Sequence, residues 1–337
     1  SPPFFCYNIF NMPKKTFTIR KYKPGDEKKL INVFNEVFIE NSGSHHQIMD
    51  KKIWDWKFAN SPFGFKILVA INNKKEIVGQ LAIQKNRFKY RNRYSNFYSI
   101  VDLCLKKEYR NHNFVQRCYE RFLSKMNNVI IGFPSAVWAH SYPTIDPKIK
   151  VYHVPIFGKK FDKKSQKQYQ DISGEISVER IRRISQAKND LDKLWQKKKA
   201  EITIGCVRNA RYLNWRFLKN PAPLNLYLIK QGNNPIGYFV LEPKKTITLV
   251  KDILILNDQL KEGLEALTKV NKGLSKSEIR IMTTDPALQK GLLKEGYTEY
   301  DREKINQNGY FVSHNPEKTE LNEYYLTWAD SDWDLYH

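Results

Sequence analysis

Apolar and polar positions alternate from Phe17 to Tyr22, which predicts a strand, and the period then changes. Pro24-Gly25-Asp26 sets a turn, and Asp26 can cap a helix in which Leu30, Val33, Phe34, Val37 and Phe38 fall at helical spacing. Lys66–Ile71 and Ile77–Ile83 flank Asn72-Asn73 and read as a hairpin, continued by strands at Arg87–Tyr94 and Phe97–Leu105. A helix is predicted over Asn113–Met126, with Phe114, Val115, Cys118, Phe122 and Leu123 on one face, before a short buried strand at Val129–Gly132. After a polar stretch, Glu201–Val207 opens a second series of elements. Strands follow at Leu226–Ile229, Ile236–Leu241 and Thr246–Leu256, then a helix at Gln259–Lys269 and a strand at Ile279–Thr283. A helix at Ala287–Lys294 and a closing strand at Tyr324–Trp328 complete it.

The two series say nearly the same thing. Trp54-Asp55-Trp56-Lys57-Phe58 runs on to Pro62 and, through an apolar stretch, to Gly79; Leu213-Asn214-Trp215-Arg216-Phe217 runs on to Pro221 and Gly237 at almost constant spacing. Ile100-Val101-Asp102-Leu103 and Val250-Lys251-Asp252-Ile253 form a further pair. A repeat of this length suits a duplicated domain rather than a solenoid unit. The expected layout is a tail at 1–16, a first domain at 17–157, a Lys-rich helical linker at 158–200 and a second domain at 201–337. Each domain is expected to be mixed α/β (α+β), with a mostly antiparallel sheet flanked by helices.

With 337 residues there is chain enough for two cores. No apolar run is long enough for a transmembrane helix. Residues 1–11 lack a basic segment, so no signal peptide is expected, and Met12 is a candidate natural start. Cys6, Cys104, Cys118 and Cys206 are scattered, which reads as reduced thiols and a cytoplasmic setting. A net charge of +22 invites a phosphate-bearing partner. The excess is mostly lysine, however, in a chain also rich in Asn and Ile, as an AT-rich genome gives without selection for binding.

Arg87, Lys89, Arg91 and Arg93 break that lysine bias. In a strand they share one face, with Phe88, Tyr90 and Tyr94 on the other, which reads either as a phosphate or RNA patch or as a solvated hairpin face. No metal set is expected: His45-His46 with Asp50 lacks further ligands, and Asp330, Asp332 and Asp334 lack the later glutamate of a calcium loop.

The order of elements, together with Asp102-Leu103-Cys104-Leu105-Lys106-Lys107-Glu108-Tyr109-Arg110, resembles the GNAT acyltransferase fold, with the fourth strand running into a pyrophosphate loop. Two copies with Trp-x-Trp-Lys/Arg-Phe before a proline resemble the tandem GNAT proteins, which include Fem-type aminoacyl-tRNA transferases and acyltransferases of polysaccharide pathways. The resemblance implies an acetyl-coenzyme A or other acyl-coenzyme A donor, bound along Leu103, Cys104 and Leu105 and at the loop Arg110, Asn111, His112, Asn113, Phe114 and Val115. Asn113 and Val115 stand where the family has small residues. Backbone amides at a helix start suit pyrophosphate.

The same resemblance implies Asp102 as general base, or alternatively a structural carboxylate at a strand bulge, and Tyr142 as the acid that protonates the thiolate, or a packing residue. The second copy keeps Asp252 and Gly296-Tyr297 but has Leu292 at the tyrosine position, which makes the first copy the better donor half. The expected activity is N-acyl transfer to an amine such as an amino sugar. Transfer from a charged tRNA, and a non-catalytic binding protein on this fold, are the alternatives.

Overall fold

The computed structural model describes residues 15–42, 48–110, 113–123, 128–161, 176–301, 309–315 and 317–331. The first part of the chain runs β1 (Phe17–Lys21), α1 (Glu27–Ser42), α2 (Lys51–Trp54), β2 (Phe65–Asn72), β3 (Ile77–Tyr90), β4 (Arg93–Leu105), α3 (Asn113–Cys118), β5 (Ile130–Gly132), α4 (Ala136–Ile145), β6 (Ile149–His153) and β7 (Ile156–Lys160). The second part runs β8 (Ile176–Ile181), α5 (Lys188–Lys198), β9 (Ile204–Cys206), α6 (Ala210–Leu213), β10 (Asn225–Gln231), β11 (Asn234–Pro243), β12 (Ile247–Ile255), α7 (Leu260–Gly273), β13 (Glu278–Met282), α8 (Pro286–Lys294), β14 (Thr298–Glu299), β15 (Tyr310–His314) and β16 (Tyr324–Tyr325). Among the described residues no helix is long and apolar enough to cross a membrane.

The elements form two mixed sheets flanked by helices, and their strand orders correspond. One reads β1-β2-β3-β4-β5-β15-β6, the other β8-β10-β11-β12-β13-β7-β14. In each, the fourth and fifth strands are parallel and the others on this path antiparallel. The sixth place in each sheet is taken by a strand from the other part of the chain: β15 enters the first sheet and β7 the second. The stretch 158–200, expected as a linker with helices, therefore also carries sheet structure: the end of β7 and the edge strand β8, followed by α5. Its apolar positions Leu191, Leu194 and Trp195 are buried. Besides β15, two further pieces expected in the second domain join the first sheet instead. Strand β9 pairs with β3, and β16 pairs with β9 rather than closing the second sheet.

The largest core cluster lies between the sheets and draws on both, with α1, Trp54, Trp56 and Phe58 on one side and α5, Tyr212, Trp215 and Phe217 on the other. Its centre is a symmetric contact. Trp56 and Trp215, 159 residues apart, stack at 6.0 Å with 22° between planes, and each indole N–H donates to the other's backbone carbonyl, at 2.7 and 2.9 Å. A reciprocal contact of this kind is the signature of a two-fold relation between equivalent surfaces. On the far face of the first sheet α3 buries Phe114 and Cys118, and on that of the second α7 and α8 bury Leu264, Leu267, Leu288 and Leu292.

Candidate functional site

The duplicated motif folds locally in the same way in both halves. Asp50 accepts from the backbone N–H of Ile53 and caps α2; Asn209 accepts from that of Tyr212 and caps α6. Each short helix then widens into one π turn, at Asp55–Ala59 and Asn214–Leu218. The turn carries Lys57 and Arg216 inward, where both are buried. Lys57 Nζ donates to Asp102 Oδ1 at 2.5 Å, and the two side chains are 2% and 1% exposed.

Asp102 sits where the register of β3 with β4 slips, with a left-handed φ of +47°. This φ is unusual for any residue but glycine, and the buried ion pair helps to hold it. In the second half Asp252 sits at the equivalent slip but takes Arg208 Nε at 3.1 Å, the Tyr238 hydroxyl at 2.7 Å and the Thr327 hydroxyl at 2.7 Å. Arg208 also donates to Asp330 Oδ2 at 2.5 Å, and Arg216 donates to the carbonyls of Ala329 and Ser331.

Beyond the slip, the parallel strands part. Pairing of β4 with β5 ends at Ile100 opposite Gly132, although β4 continues to Leu105. Pairing of β12 with β13 ends at Val250 opposite Ile281, although β12 continues to Ile255. The second wedge is bridged by the chain itself. The Tyr325 hydroxyl donates to the Ile253 carbonyl at 2.5 Å, Leu326 N–H donates to Thr284 Oγ1 at 2.9 Å, and Thr284 Oγ1 donates to the Tyr324 carbonyl. Lys198, 1% exposed, ties Asn257 Oδ1 at 2.7 Å to Asp285 Oδ2 at 3.4 Å. Among the described residues no segment plays this part in the first half.

The expected site residues fall in three settings. Cys104 and Leu105 are buried on β4 and Leu103 is half-buried there. Burial pushes the Cys104 thiol well up, with the Asp102 charge adding to the effect, so it is no nucleophile. Arg110 is held by the Leu105 carbonyl at 2.9 Å and Glu40 at 2.8 Å. Asn111 and His112 lie outside the described residues, and Asn113 opens α3. Phe114 and Val115 turn their side chains into the protein, Phe114 against the edge of Phe17, so neither side chain lines a ligand surface. Tyr142 is buried on α4 in a small cluster with Ile149 and Val312, against which Ile100 packs where the wedge begins.

The basic stretch is a hairpin tip rather than one strand. Arg91 turns with φ +54°, so Arg93 begins β4 instead of extending the face of Arg87 and Lys89. Its charges are engaged within the chain. Arg91 pairs with Glu317 at 2.7 Å and Glu323 at 3.8 Å, Arg93 with Glu317 at 3.1 Å, Lys89 bonds the Ile202 carbonyl, and Arg87 lies over the Tyr94 ring at 5.5 Å. Of the two readings, the hairpin face fits this placement, and the charges a phosphate patch would use are partly neutralised from the opposite half. Of the groups that matter at the slips, the sequence reading left Lys57, Arg208 and Asp330 without a role. The only signal for Lys57 is the cation at the fourth position of the duplicated motif. Among the described residues no cluster could hold a metal ion.

No protein-family model matches the chain, and no curated protein matches its sequence. Its architecture does match solved structures. A probable N-acyltransferase from Enterococcus faecalis superposes with a TM-score of 0.65 at 9% identity, covering 88% of this chain and 72% of the other. A GCN5-related N-acetyltransferase from Anabaena variabilis gives 0.61 at 14% identity over 88% and 72%. The N-myristoyltransferase of Saccharomyces cerevisiae, solved with myristoyl-coenzyme A, gives 0.54 at 9% over 88% and 82%. Two mixed sheets with a parted parallel pair in each are thus the fold of this chain, and it is the fold of the GCN5-related N-acetyltransferases.

Proposed function

We propose that the protein is a tandem N-acyltransferase that moves an acyl group from a coenzyme A thioester to an amine, with the donor held by the first half. The asymmetry of the two wedges carries this reading. The first wedge opens beside the Asp102 slip, whereas residues 324–326 and Lys198 fill the second. A parted strand leaves backbone groups without a ladder partner, and an extended thioester arm can supply one. The residues present suit that donor. The side chains of Phe114 and Val115 turn away, which leaves the backbone at the start of α3 for a pyrophosphate, and Arg110 joins it only by leaving Glu40. The acyl thioester is the electrophile.

In this reading Asp102 shapes the slip and does not act as base, because Lys57 already neutralises it at 2.5 Å. Tyr142, where the wedge begins, returns a proton to the departing thiolate. The tRNA alternative has less support, since two of the three arginines it would use, Arg91 and Arg93, already pair with Glu317 and Glu323, whereas Arg87 lies over the Tyr94 ring.

Calorimetric titration with acetyl-coenzyme A and with coenzyme A tests the reading, beside an Arg110→Ala variant. Saturable micromolar binding, weakened by the substitution, is the expected result; no heat with either ligand sinks the donor assignment.

A further inference from the structure

A polar cluster outside the site described above joins three elements around the first sheet. Tyr119 opens the π turn Tyr119–Leu123 that continues α3, Asp146 is the residue at which α4 ends, and His314 is the last residue of β15, the strand supplied by the second part of the chain. The Tyr119 hydroxyl donates to Asp146 Oδ2 and lies 3.1 Å from His314 Nε2, which is itself 3.3 Å from Asp146 Oδ2. The other carboxylate oxygen, Oδ1, accepts from Lys148 N–H at 2.8 Å. The Tyr119 and His314 rings meet edge to face at 5.8 Å.

The proton positions follow from the contacts. The Tyr119 proton goes to Asp146, so the Tyr119 oxygen can accept. His314 Nδ1 is buried and among the described residues has no partner, whereas Nε2 faces two oxygens. In the neutral ring Nε2 therefore carries the proton. Burial would raise Asp146, but the Tyr119 hydroxyl and the Lys148 N–H hold it below its ordinary value, so it stays ionised. Each donor of the cluster thus points at Asp146 or at the hydroxyl that binds it.

Helix α4 needs an anchor at this end. It is 10 residues long, and Pro143 stands inside it, directly after Tyr142. Proline has no N–H, so the Ala139 carbonyl loses its partner in the helix, and the turn that carries Tyr142 is loosened from the turn before it. Asp146 supports that turn from the other side. Its N–H donates to the Tyr142 carbonyl at 3.2 Å, and its own carbonyl accepts from Ile149 N–H at 3.0 Å, at the start of β6. Val312 and His314 share one face of β15. Val312 packs with Tyr142 and Ile149, and His314 meets Asp146, so one strand face serves both Tyr142 and the residue that ends its helix.

Resting on the reading of Tyr142 as the acid, we infer that Tyr119 and His314 are positioning residues for the acyl transfer: through Asp146 they clamp the last turn of α4, and with it Tyr142, where the wedge begins. They give no proton to the reaction themselves. A hydroxyl that must reach a departing thiolate tolerates little displacement, and an error of about 1 Å costs up to about 10²-fold in rate. The strand that carries His314 comes from the second part of the chain, so that part helps to place the acid of the first.

The first test needs no donor. In the NMR spectrum of the full chain with isotope-labelled tyrosine rings, the Tyr142 signal is identified by its loss in Tyr142→Phe. Tyr119→Phe keeps a ring against His314 and removes only the hydroxyl. The expected result is a shifted or broadened Tyr142 signal in Tyr119→Phe, and an unchanged signal overturns the inference. If coenzyme A titration gives heat, turnover of acetyl-coenzyme A with small primary amines separates positioning from stability. Tyr119→Phe is expected to lower kcat by about 10–10²-fold at unchanged coenzyme A affinity. In a Tyr142→Phe background it is expected to have no further effect, because it acts through that residue. His314→Leu is expected to behave like Tyr119→Phe, and His314→Gln, which keeps a side-chain N–H donor, to lose less. Additive losses of Tyr119→Phe and Tyr142→Phe, or equal losses in the two His314 variants, overturn the inference. Failure of coenzyme A to bind overturns the donor reading, and the catalytic use of the clamp with it, while the Tyr142 signal still decides whether Tyr119 holds the end of α4.

Discussion

The two halves of this molecule solve the same local problem with different charges. Each has a slip in the fourth strand with a buried aspartate on it, and each parts its parallel strands just beyond. In the first half one lysine neutralises Asp102. In the second, an arginine is shared between Asp252 and Asp330, and the chain's own Tyr324–Leu326 closes the wedge. The contrast shows that a duplicated scaffold can keep the distortion while, among the described residues, the bridging segment is found at the second wedge. The second half also contributes Asp330 and Arg216 to a small cavity that Gln84, Asn86 and Ser99 line from the first.

The largest expected effects come from what the halves share. Trp56→Ala and Trp215→Ala should each cost about 3–5 kcal/mol, and the double variant should lose less than the sum, because each indole is the other's partner. Denaturant unfolding checks this; full additivity would break the idea of one symmetric contact. Lys57→Met should cost about 3–5 kcal/mol by leaving Asp102 buried beside a lost partner, and Lys57→Met with Asp102→Leu should recover most of it. If the double variant is as unstable as the single, the pair does more than balance charge.

Smaller effects sharpen the difference between the halves. Tyr325→Phe removes one buried hydrogen bond from the closed wedge and should cost about 1 kcal/mol. Coenzyme A should still bind with one site per chain, and a stoichiometry of two would show that the second wedge opens. The smallest effects are in pH dependence, with opposite signs in the two halves. Arg20 holds Asp26 below its ordinary value of 3.8 through a side-chain hydrogen bond. The folded value lies below the unfolded one, so its stabilisation is present above that value and fades as pH falls through the folded one. Burial holds Asp330 above its ordinary 3.8, so its contribution is largest below that value and is lost as pH rises through the folded one. Arg20→Ala should therefore flatten the acid limb of a stability–pH curve, and Asp330→Asn should gain on the wild type as pH rises. The reverse pattern would refute either assignment.

Much of the fold was legible. The α1 positions Leu30, Val33, Phe34 and Val37 are buried as the helical period requires, and the slip aspartates lie at equivalent places in the two sheets. The site was less legible. The sequence leaves open whether Arg91 and Arg93 form a phosphate patch or a hairpin face, because Glu317, their partner, lies more than two hundred residues away in the chain. The sequence sets Asp330 aside with Asp332 and Asp334 as an incomplete calcium loop, because nothing local shows that Arg208 would claim it.

The sequence alone determined many of the strands and helices, and that the pattern occurs twice, but not α4, β6, β7, β8 or β15. Those signals are periodic and local, because a segment with one apolar face must bury that face wherever it ends up. Only the tertiary structure decided that β7 and β15 exchange sheets, that residues 324–326 bridge the second wedge, and that Asp330 and Gln84 line one cavity. Backbone hydrogen bonds are the same for every residue. The choice of which strand edge pairs with which is therefore made by the whole packing, not by any stretch of sequence.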